Sequence, residues 1–470
     1  MTNSRRKVVV VGGGITGLTA AFTLQQKAAQ SNLPIEVILI ESSLRIGGKI
    51  DTIRKDGFII ERGPESFFDL KNDVRNLARE LNIEHEMIQH NDGKTYIAVG
   101  SDLHKIPSSF LLGGSSELTG LMTSSLISLS GKIRAACDLF IGKSSEHFDE
   151  PIGSFFKRRF GKEVVENLIE PVLAGTFAGD IDHLSMEAMF PQYKHLEMVE
   201  RSLIIGLLKN RQGFYNSSPT SENLCYETFK GGLSTLVETL EAALLPGTIR
   251  KGMKVDSVEH LRDKKLRIHI NNGSTLEVDG VIITTPFNQA KSLLRDSSVV
   301  RMAEPMKAAT IGTVTMAFKA DEIKKYKQAN QIFVSRKSSY SITSCTFANR
   351  KWQGVSPDGY ELLRIYIGRV GDESIVELSD YEITQTVLSD LEKMLGIKAV
   401  PLFSIVGRWQ QGMPQYTVGH NSRTQLLKEE VAKSFPNVLL AGSSYNGLSM
   451  PNCIKQGRNA ALEILNQLHE

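Results

Sequence analysis

Apolar residues in this chain collect into short runs, and the first run opens onto glycines rather than onto a charged loop. Val8-Val9-Val10-Val11 is wholly apolar, as expected of a strand buried on both faces of a parallel sheet. Gly12-Gly13-Gly14-Ile15-Thr16-Gly17 follows, then a helical run, then a second apolar strand, Ile35-Glu-Val-Ile-Leu-Ile40, ending on Glu41. Residues 57–66 add another strand and turn. Residues from about 90 to 179 read as mostly helical: Phe155, Phe156, Val164, Val165, Leu168 and Ile169 recur at helical spacing, punctuated by Gly161 and Pro171. Residues 210–224 are polar and turn-rich, a surface loop.

From Tyr226 the pattern changes. Gly231-Gly232 turns into an apolar helix that runs through Leu244. Leu266–Ile270 and Thr275–Val278 alternate on either side of Asn272-Gly273, a hairpin signal. Asp279–Pro286 reads as a buried strand ending in a turn. Residues 310–405 carry further strands, among them Glu361–Ile367, around a helix at Tyr381–Leu395. The chain closes with strand Val438–Ala441, loop Gly442–Met450 and a helix from Pro451, whose Ile454, Gly457, Ala461, Ile464, Leu465 and Leu468 share one face. No internal repeat is evident.

Composition narrows the class. The 470 residues amount to about three domains' worth of chain. Hydrophobic residues at 41% and charged residues at 23% suit a globular protein, and a net charge of +3 leaves no nucleic-acid footprint. Cys137, Cys225, Cys345 and Cys453 are scattered, with neither metal-ligand spacing nor a disulfide framework, so no metal is expected and a reducing compartment fits. The chain passes from Met1-Thr-Asn-Ser-Arg-Arg-Lys7 into its first strand without a signal-peptide pattern. A cytoplasmic location is expected. Ser108–Gly131, with Glu117 its only charge, reads as buried core or channel wall; the alternative is a surface in peripheral contact with the inner face of a membrane.

The glycine cluster carries the first chemistry. Gly12 permits the tight strand-to-helix turn, Gly14 a close backbone approach to a pyrophosphate, and Gly17 close helix–strand packing. The helix start at Ile15 and Thr16 offers free N–H groups to phosphate. Glu41 and Ser42 stand where ribose hydroxyls would lie. Arg45, Gly48 and Lys49, in Arg45-Ile-Gly-Gly-Lys49, give a second close approach along a long cofactor, which favours FAD over NAD. Gly63, Pro64, Glu65 and Ser66 form a further turn toward it.

These two glycine clusters resemble the amino-terminal signature of the amine oxidase and protoporphyrinogen oxidase superfamily. The resemblance implies an α/β chain: a discontinuous Rossmann-like FAD-binding domain (1–70, 226–290 and 404–470), an α+β substrate domain (71–90, 180–225 and 291–403) and an inserted helical subdomain (91–179). It further implies that Val255 meets the adenine and Trp409 lies near the isoalloxazine. Gly442, Ser443, Pro451, Cys453 and Ile454 then form the carboxyl-terminal flavin motif, with the last helix presenting its positive end. Ordinary readings stand beside these: Trp409 as a core aromatic, Pro451 as simple helix initiation.

Glu61–Phe67, Leu168–Asp180 and Met413–Tyr416 resemble the porphyrinogen oxidase branch, most closely the Gram-positive type that oxidises coproporphyrinogen III to coproporphyrin III. The similarity spans essentially the whole chain, although Asp69-Leu-Lys71 departs from more distant members. It implies a six-electron oxidation in heme biosynthesis with dioxygen as acceptor and hydrogen peroxide as product, protoporphyrinogen IX as a second substrate, and a ferrochelatase to receive the product. Positioning dominates such chemistry, so no catalytic base is expected. Substrate contacts are expected from Lys71 to a propionate and from Thr176, Phe177, Phe333 and Ile342 to the ring, with Arg201 and Lys230 as weaker carboxylate candidates. Gln410 stands where many amine oxidases carry a flavin-linking cysteine, so noncovalent FAD is expected. The competing readings are an amine oxidase, a carotenoid desaturase, and a noncatalytic binding protein on a flavin fold; intact Gly12, Gly14, Gly17 and Glu41 argue against the last.

Overall fold

The computed structural model describes residues 5–106, 124–144, 148–209, 226–262, 264–294, 300, 303–323 and 325–469. Most of the apolar Ser108–Gly131 stretch, the expected loop at 210–224 and Cys225 lie outside the described residues.

A five-stranded parallel sheet forms the first layer. Arg6–Val11 is its centre, flanked by Ile35–Glu41 and then Ile249–Lys251 on one side and by Gly280–Ile283 and Val438–Leu440 on the other. Both faces are covered, which is why the strands are continuous apolar runs. On one face Val8, Val10 and Leu39 pack against helices Ile15–Gln30, Ser234–Ala243 and Met450–His469. On the other, Val9, Val11 and Ile38 pack against helix His420–Ser434 and a three-stranded antiparallel sheet that contains the expected hairpin, Leu266 opposite Val278.

The second sheet has seven strands, in the order Phe403–Pro414, Ala308–Lys319, Tyr360–Ile367, Ile342–Phe347, Ala329–Val334, Lys94–Val99, Asp102–Ile106. Its pairs are antiparallel except Ala329–Val334 with Lys94–Val99. One face is apolar and covered by helix Asp380–Leu395, started by a Ser379–Glu382 capping box. Helices Ile152–Phe160 and Glu170–Phe177 pack at the far edge of the other face, through Phe155, Leu173 and Phe333.

Two features differ from the local pattern. Residues 94–106, expected in a helical stretch, form a hairpin, because Tyr96–Ala98 add to a strand more than 200 residues away in sequence. Residues 403–414, grouped with the FAD-binding segment 404–470 from the sequence, run the length of the seven-stranded sheet against Ala308–Ala317. No helix among the described residues is long and apolar enough to cross a membrane.

Candidate functional site

The glycine cluster between the first strand and its helix is sterically exacting. Gly12 has φ +106°, and a Cβ on Gly17 would stand 2.0 Å from the Gly12 carbonyl oxygen. The backbones of Gly14 and Gly48 face each other so closely that a Cβ on Gly48 would lie 3.1 Å from the Gly14 Cα. The two glycine loops are bound together by the Gly47 N–H donating to the Gly13 carbonyl at 2.8 Å. Helix Ile15–Gln30 starts without any side-chain cap and without an acid in its first turn, so its first N–H groups remain open to an anion.

Glu41 closes this cradle. Its carboxylate accepts from the Gly13 N–H at 2.7 Å, the Ser43 N–H at 2.8 Å and the Ser42 hydroxyl at 3.2 Å. The Gly252 N–H donates to the Ser43 carbonyl and the Met253 N–H to that of Glu41, which brings the start of strand Val255–His260, and so Val255, to the same end of the sheet. Arg45, on the surface, folds back onto its own loop instead. Its guanidinium donates to the carbonyls of Ile46, Ile50 and Gly48 at 3.1, 2.6 and 2.6 Å, so it braces the second loop.

Lys49 leads across to the chain's other end. Its ammonium lies 3.4 Å from the Ser443 hydroxyl. Burial lowers its pKa, against an upward pull from Cys453. The Cys453 thiol is raised by burial and lowered by Thr16 and Lys49. Lys49, Ser443, Cys453 and Thr16 thus converge between the starts of the first and last helices. Gly442, at φ +125°, approaches Thr16, and Pro451 and Ile454 are buried in the opening turns of the last helix. A half-desolvated cation between two helix N-termini suits a pyrophosphate-containing cofactor.

The turn at Gly63 joins this cradle to the seven-stranded sheet. A Cβ there would stand 1.7 Å from the Lys49 carbonyl oxygen and 3.6 Å from the Trp409 ring, and the Trp409 Nε1–H donates to the Arg62 carbonyl at 2.7 Å. After Pro64, Glu65 accepts from Lys351 at 2.5 Å and from Arg364 at 3.3 Å. Burial pushes Glu65 up, but these two cations outweigh it and hold the carboxyl below its usual value. Arg364 also donates to the Gly63 carbonyl. Glu61, two residues earlier, is raised to about 7 chiefly by burial, although it accepts from the Leu233 N–H and the Thr52 hydroxyl.

Glu65 and Arg364 belong to a polar face that motif reading did not single out. Register places Thr313 opposite Tyr366 and Thr315 opposite Arg364. It then places Ser344 opposite Tyr366 and Thr346 opposite Arg364. All are buried or nearly so, and the Ser344 and Thr346 hydroxyls have no hydrogen-bond partner. Burial raises the Tyr366 hydroxyl well above its usual value. Buried polar atoms are normally satisfied, so unpartnered hydroxyls opposite Tyr366 and Arg364 mark a face built to meet something polar. The signal in the sequence was the alternation Leu363-Arg364-Ile365-Tyr366-Ile367, in which every second residue is polar within a buried strand.

The substrate candidates divide. Thr176 is exposed at the end of helix Glu170–Phe177, its hydroxyl turned back to the Val172 carbonyl at 2.7 Å. Phe177 is half-buried beside Phe190, and its carbonyl accepts from Gln415. Phe333 touches the same helix at Gly175. Ile342 does not join them, for it is fully buried in the apolar layer against helix Asp380–Leu395. Lys71 is exposed just ahead of helix Asp73–Glu80. Asp69, two residues before it, caps that helix by accepting from the N–H groups of Asp73, Val74 and Arg75, so the departure at 69–71 has a local structural role. Lys230 donates to the His85 carbonyl at 3.1 Å. Arg201, at φ +66°, ends helix Pro191–Glu200. Among the described residues, neither is hydrogen-bonded to the polar face.

Comparison with known proteins adds the family. The model of flavin containing amine oxidoreductases matches residues 15–465. The coproporphyrinogen III oxidase of Bacillus subtilis (strain 168) is 40% identical over 469 residues, covering 100% of both chains. The coproporphyrinogen III oxidase of Staphylococcus aureus (strain NCTC 8325 / PS 47) is 34% identical, over 98% of this chain and 100% of that protein. A crystal structure from Exiguobacterium sp. 255-15, of a protein provisionally called a protoporphyrinogen oxidase, superposes with a TM-score of 0.86 at 31% identity, over 99% of this chain and 100% of that one.

Proposed function

This chain belongs to the flavin containing amine oxidoreductase family, and we propose that it is an FAD-dependent porphyrinogen oxidase that converts coproporphyrinogen III to coproporphyrin III in heme biosynthesis, with protoporphyrinogen IX as a second substrate. The carrying observation is the full-length, 40% identity to a coproporphyrinogen III oxidase, on a chain whose cofactor cradle and buried polar face adjoin at Gly63 and Trp409.

The residues fit FAD. The Gly14 and Gly48 backbones meet closely, a Cβ on Gly48 standing 3.1 Å from the Gly14 Cα, which suits a pyrophosphate lying along them; Lys49 supplies a cation there, and Glu41 and the Val255 loop stand at the adenosine end. Gln410 follows Trp409 where a linking cysteine would be needed, which supports noncovalent attachment. Bound there, the flavin supplies a two-electron acceptor that dioxygen reoxidises; three such oxidations complete the ring and yield three hydrogen peroxide.

The protein's own part is positioning. Trp409, held through Arg62, and the Gly63 turn, held through Arg364, fix the wall beside the reacting ring. Thr176, Phe177 and Phe333 provide the facing wall, and Lys71 anchors a propionate. Within the family the rival reading is an amine oxidase. Anaerobic mixing distinguishes them: coproporphyrinogen III and protoporphyrinogen IX should bleach the flavin spectrum, and simple amines should not. Bleaching by amines alone overturns the proposal. Acid precipitation should release all flavin to the supernatant; a yellow pellet overturns noncovalent attachment.

A further inference from the structure

Arg369 is the least satisfied cation near the polar face. It follows strand Tyr360–Ile367 through Gly368, at φ +81°. Its side chain is 6% exposed, and its Nε and Nη1 are buried without a hydrogen-bond partner. Asp372 approaches Nε only to 3.7 Å, beyond hydrogen-bond distance. A second guanidinium stands beside it. Arg336 donates to the Val370 carbonyl at 3.1 Å and to Glu170 at 2.8 Å. Burial and then Arg336 lower the Arg369 pKa, against upward pulls from Glu170 and Asp372.

The placement gives this pair a purpose. The Val370 N–H donates to the Ala178 carbonyl at 2.9 Å, directly after Thr176 and Phe177. Arg369 lies three residues beyond Tyr366, and Arg336 three beyond Phe333. The two guanidiniums therefore sit where the polar sheet meets helix Glu170–Phe177, at the edge of the proposed ring pocket. Lys71 comes from a different element, the turn ahead of helix Asp73–Glu80. Glu170 and Asp372 balance the two charges, but the buried Arg369 Nε and Nη1 remain unused, and a guanidinium fork with free donors matches a carboxylate best.

We propose that Arg369, seated by Arg336, forms a second carboxylate subsite that binds a propionate of the porphyrinogen separately from Lys71 and selects substrates with four carboxylates over those with two. The inference rests on the porphyrinogen reading above. Coproporphyrinogen carries four propionates and protoporphyrinogen two, so a subsite reached only by the additional pair raises affinity for the first substrate alone.

The test compares both substrates in FAD-loaded wild type, Arg369→Gln and Arg336→Gln. Arg369→Gln should raise KM for coproporphyrinogen III by about tenfold or more, as expected for loss of one charge-assisted contact. It should leave its kcat, and KM for protoporphyrinogen IX, within about twofold. Arg336, 38% exposed, can be replaced with little risk to the fold, and Arg336→Gln should shift the same ratio in the same direction by a smaller factor. Binding of the oxidised products, coproporphyrin III and protoporphyrin IX, to the holoenzyme should show the same selective loss, independently of turnover. An unchanged ratio between the two substrates in both variants, or an equal rise for both, overturns the subsite. Wild type that oxidises neither porphyrinogen overturns the function on which it rests, and is distinguishable because it precedes any variant.

Discussion

The glycine-lined cradle and the polar face of the seven-stranded sheet are joined through the Gly63 turn and built in opposite ways. The cradle is local. Residues 12–17 and 41–49 set its shape, most tightly where a Cβ on Gly17 would meet the Gly12 carbonyl and one on Gly48 the Gly14 Cα, and a neighbouring strand or helix start lies a few residues away. The face is assembled from afar. Thr313, Thr315, Ser344, Thr346, Arg364 and Tyr366 come from three strands and meet only through register, and their neighbour Glu65 arrives from nearly 300 residues away. A site made of backbone shape tolerates few sequences. A site made of side chains on a sheet tolerates many, so it carries specificity instead.

That difference can be broken most severely in the cradle. Gly17→Ala places a methyl 2.0 Å from the Gly12 carbonyl oxygen, and Gly63→Ala one 1.7 Å from that of Lys49. Backbone faces backbone in both, so neither neighbour can rotate away. Both purified variants should lack the visible flavin absorption altogether. Gly142→Ala, where a Cβ meets nothing within 4 Å, should keep it. Full flavin content in Gly17→Ala would show that the first helix does not abut the cofactor turn as described.

In the face, the largest effect should come from Arg364. Arg364→Leu leaves the buried Glu65 with Lys351 alone and the Gly63 carbonyl without its donor. Breaking a buried pair from one side typically costs about 3–5 kcal/mol, measurable by chemical denaturation of the flavin-free protein. Removing both partners, as Arg364→Leu with Glu65→Leu, should recover much of that loss. A double variant as unstable as the single one would mean that Lys351 left unpaired matters more than Glu65.

The same contrast explains what could be read from the sequence. Gly12, Gly17 and Glu41 were legible because each is demanded by a contact with a neighbour in sequence or one strand away, whereas a Cβ on Gly14 would make only an ordinary contact, 3.9 Å from the Gly48 Cα. The hairpin at 266–278 was legible because its Asn272-Gly273 turn announces it; the helix expected at 381–395 was found too, with a Ser379–Glu382 capping box that the pattern reading had not used. The strand at 94–99 was not, since its partner lies at 329–334. Ile342 looked like a pocket residue and is core, because one strand position decides which face a side chain takes. Arg364 and Tyr366 were visible only as an alternation whose meaning needed the facing strand. Asp69 seemed a departure from distant relatives and proves to be a helix cap.

Glu61 offers a pH-dependent probe of the seam between the two regions. Its carboxyl sits at about 7, up from an ordinary 4.5, chiefly through burial. A carboxyl raised on folding stabilises the fold below the unfolded value and loses that contribution as pH rises through the folded one. Glu61 should therefore contribute stability fully below pH 4.5 and lose it by about pH 7, a swing of at most roughly 3 kcal/mol. Glu61→Gln should flatten stability across that window and be the more stable protein at pH 8. An identical pH slope in variant and wild type would mean that Glu61 titrates as if exposed.

The smallest expected effect lies at an exposed side chain, Lys71. Its side chain is exposed, with Asp73 close enough to feel its charge, so a propionate bound there stays partly hydrated and the contact is worth less than a buried one. A charge-assisted hydrogen bond contributes roughly 1.5–3 kcal/mol when well made. Near the lower end of that range, Lys71→Ala should raise KM for coproporphyrinogen by about tenfold. The cradle does not involve Lys71, so flavin content should stay at the wild-type level. Both porphyrinogens carry at least two propionates, so the rise should appear with both, in contrast to the substrate-selective effect expected at Arg369. An unaltered KM for both would remove Lys71 from the site while leaving the cradle, the polar face and the proposed chemistry in place.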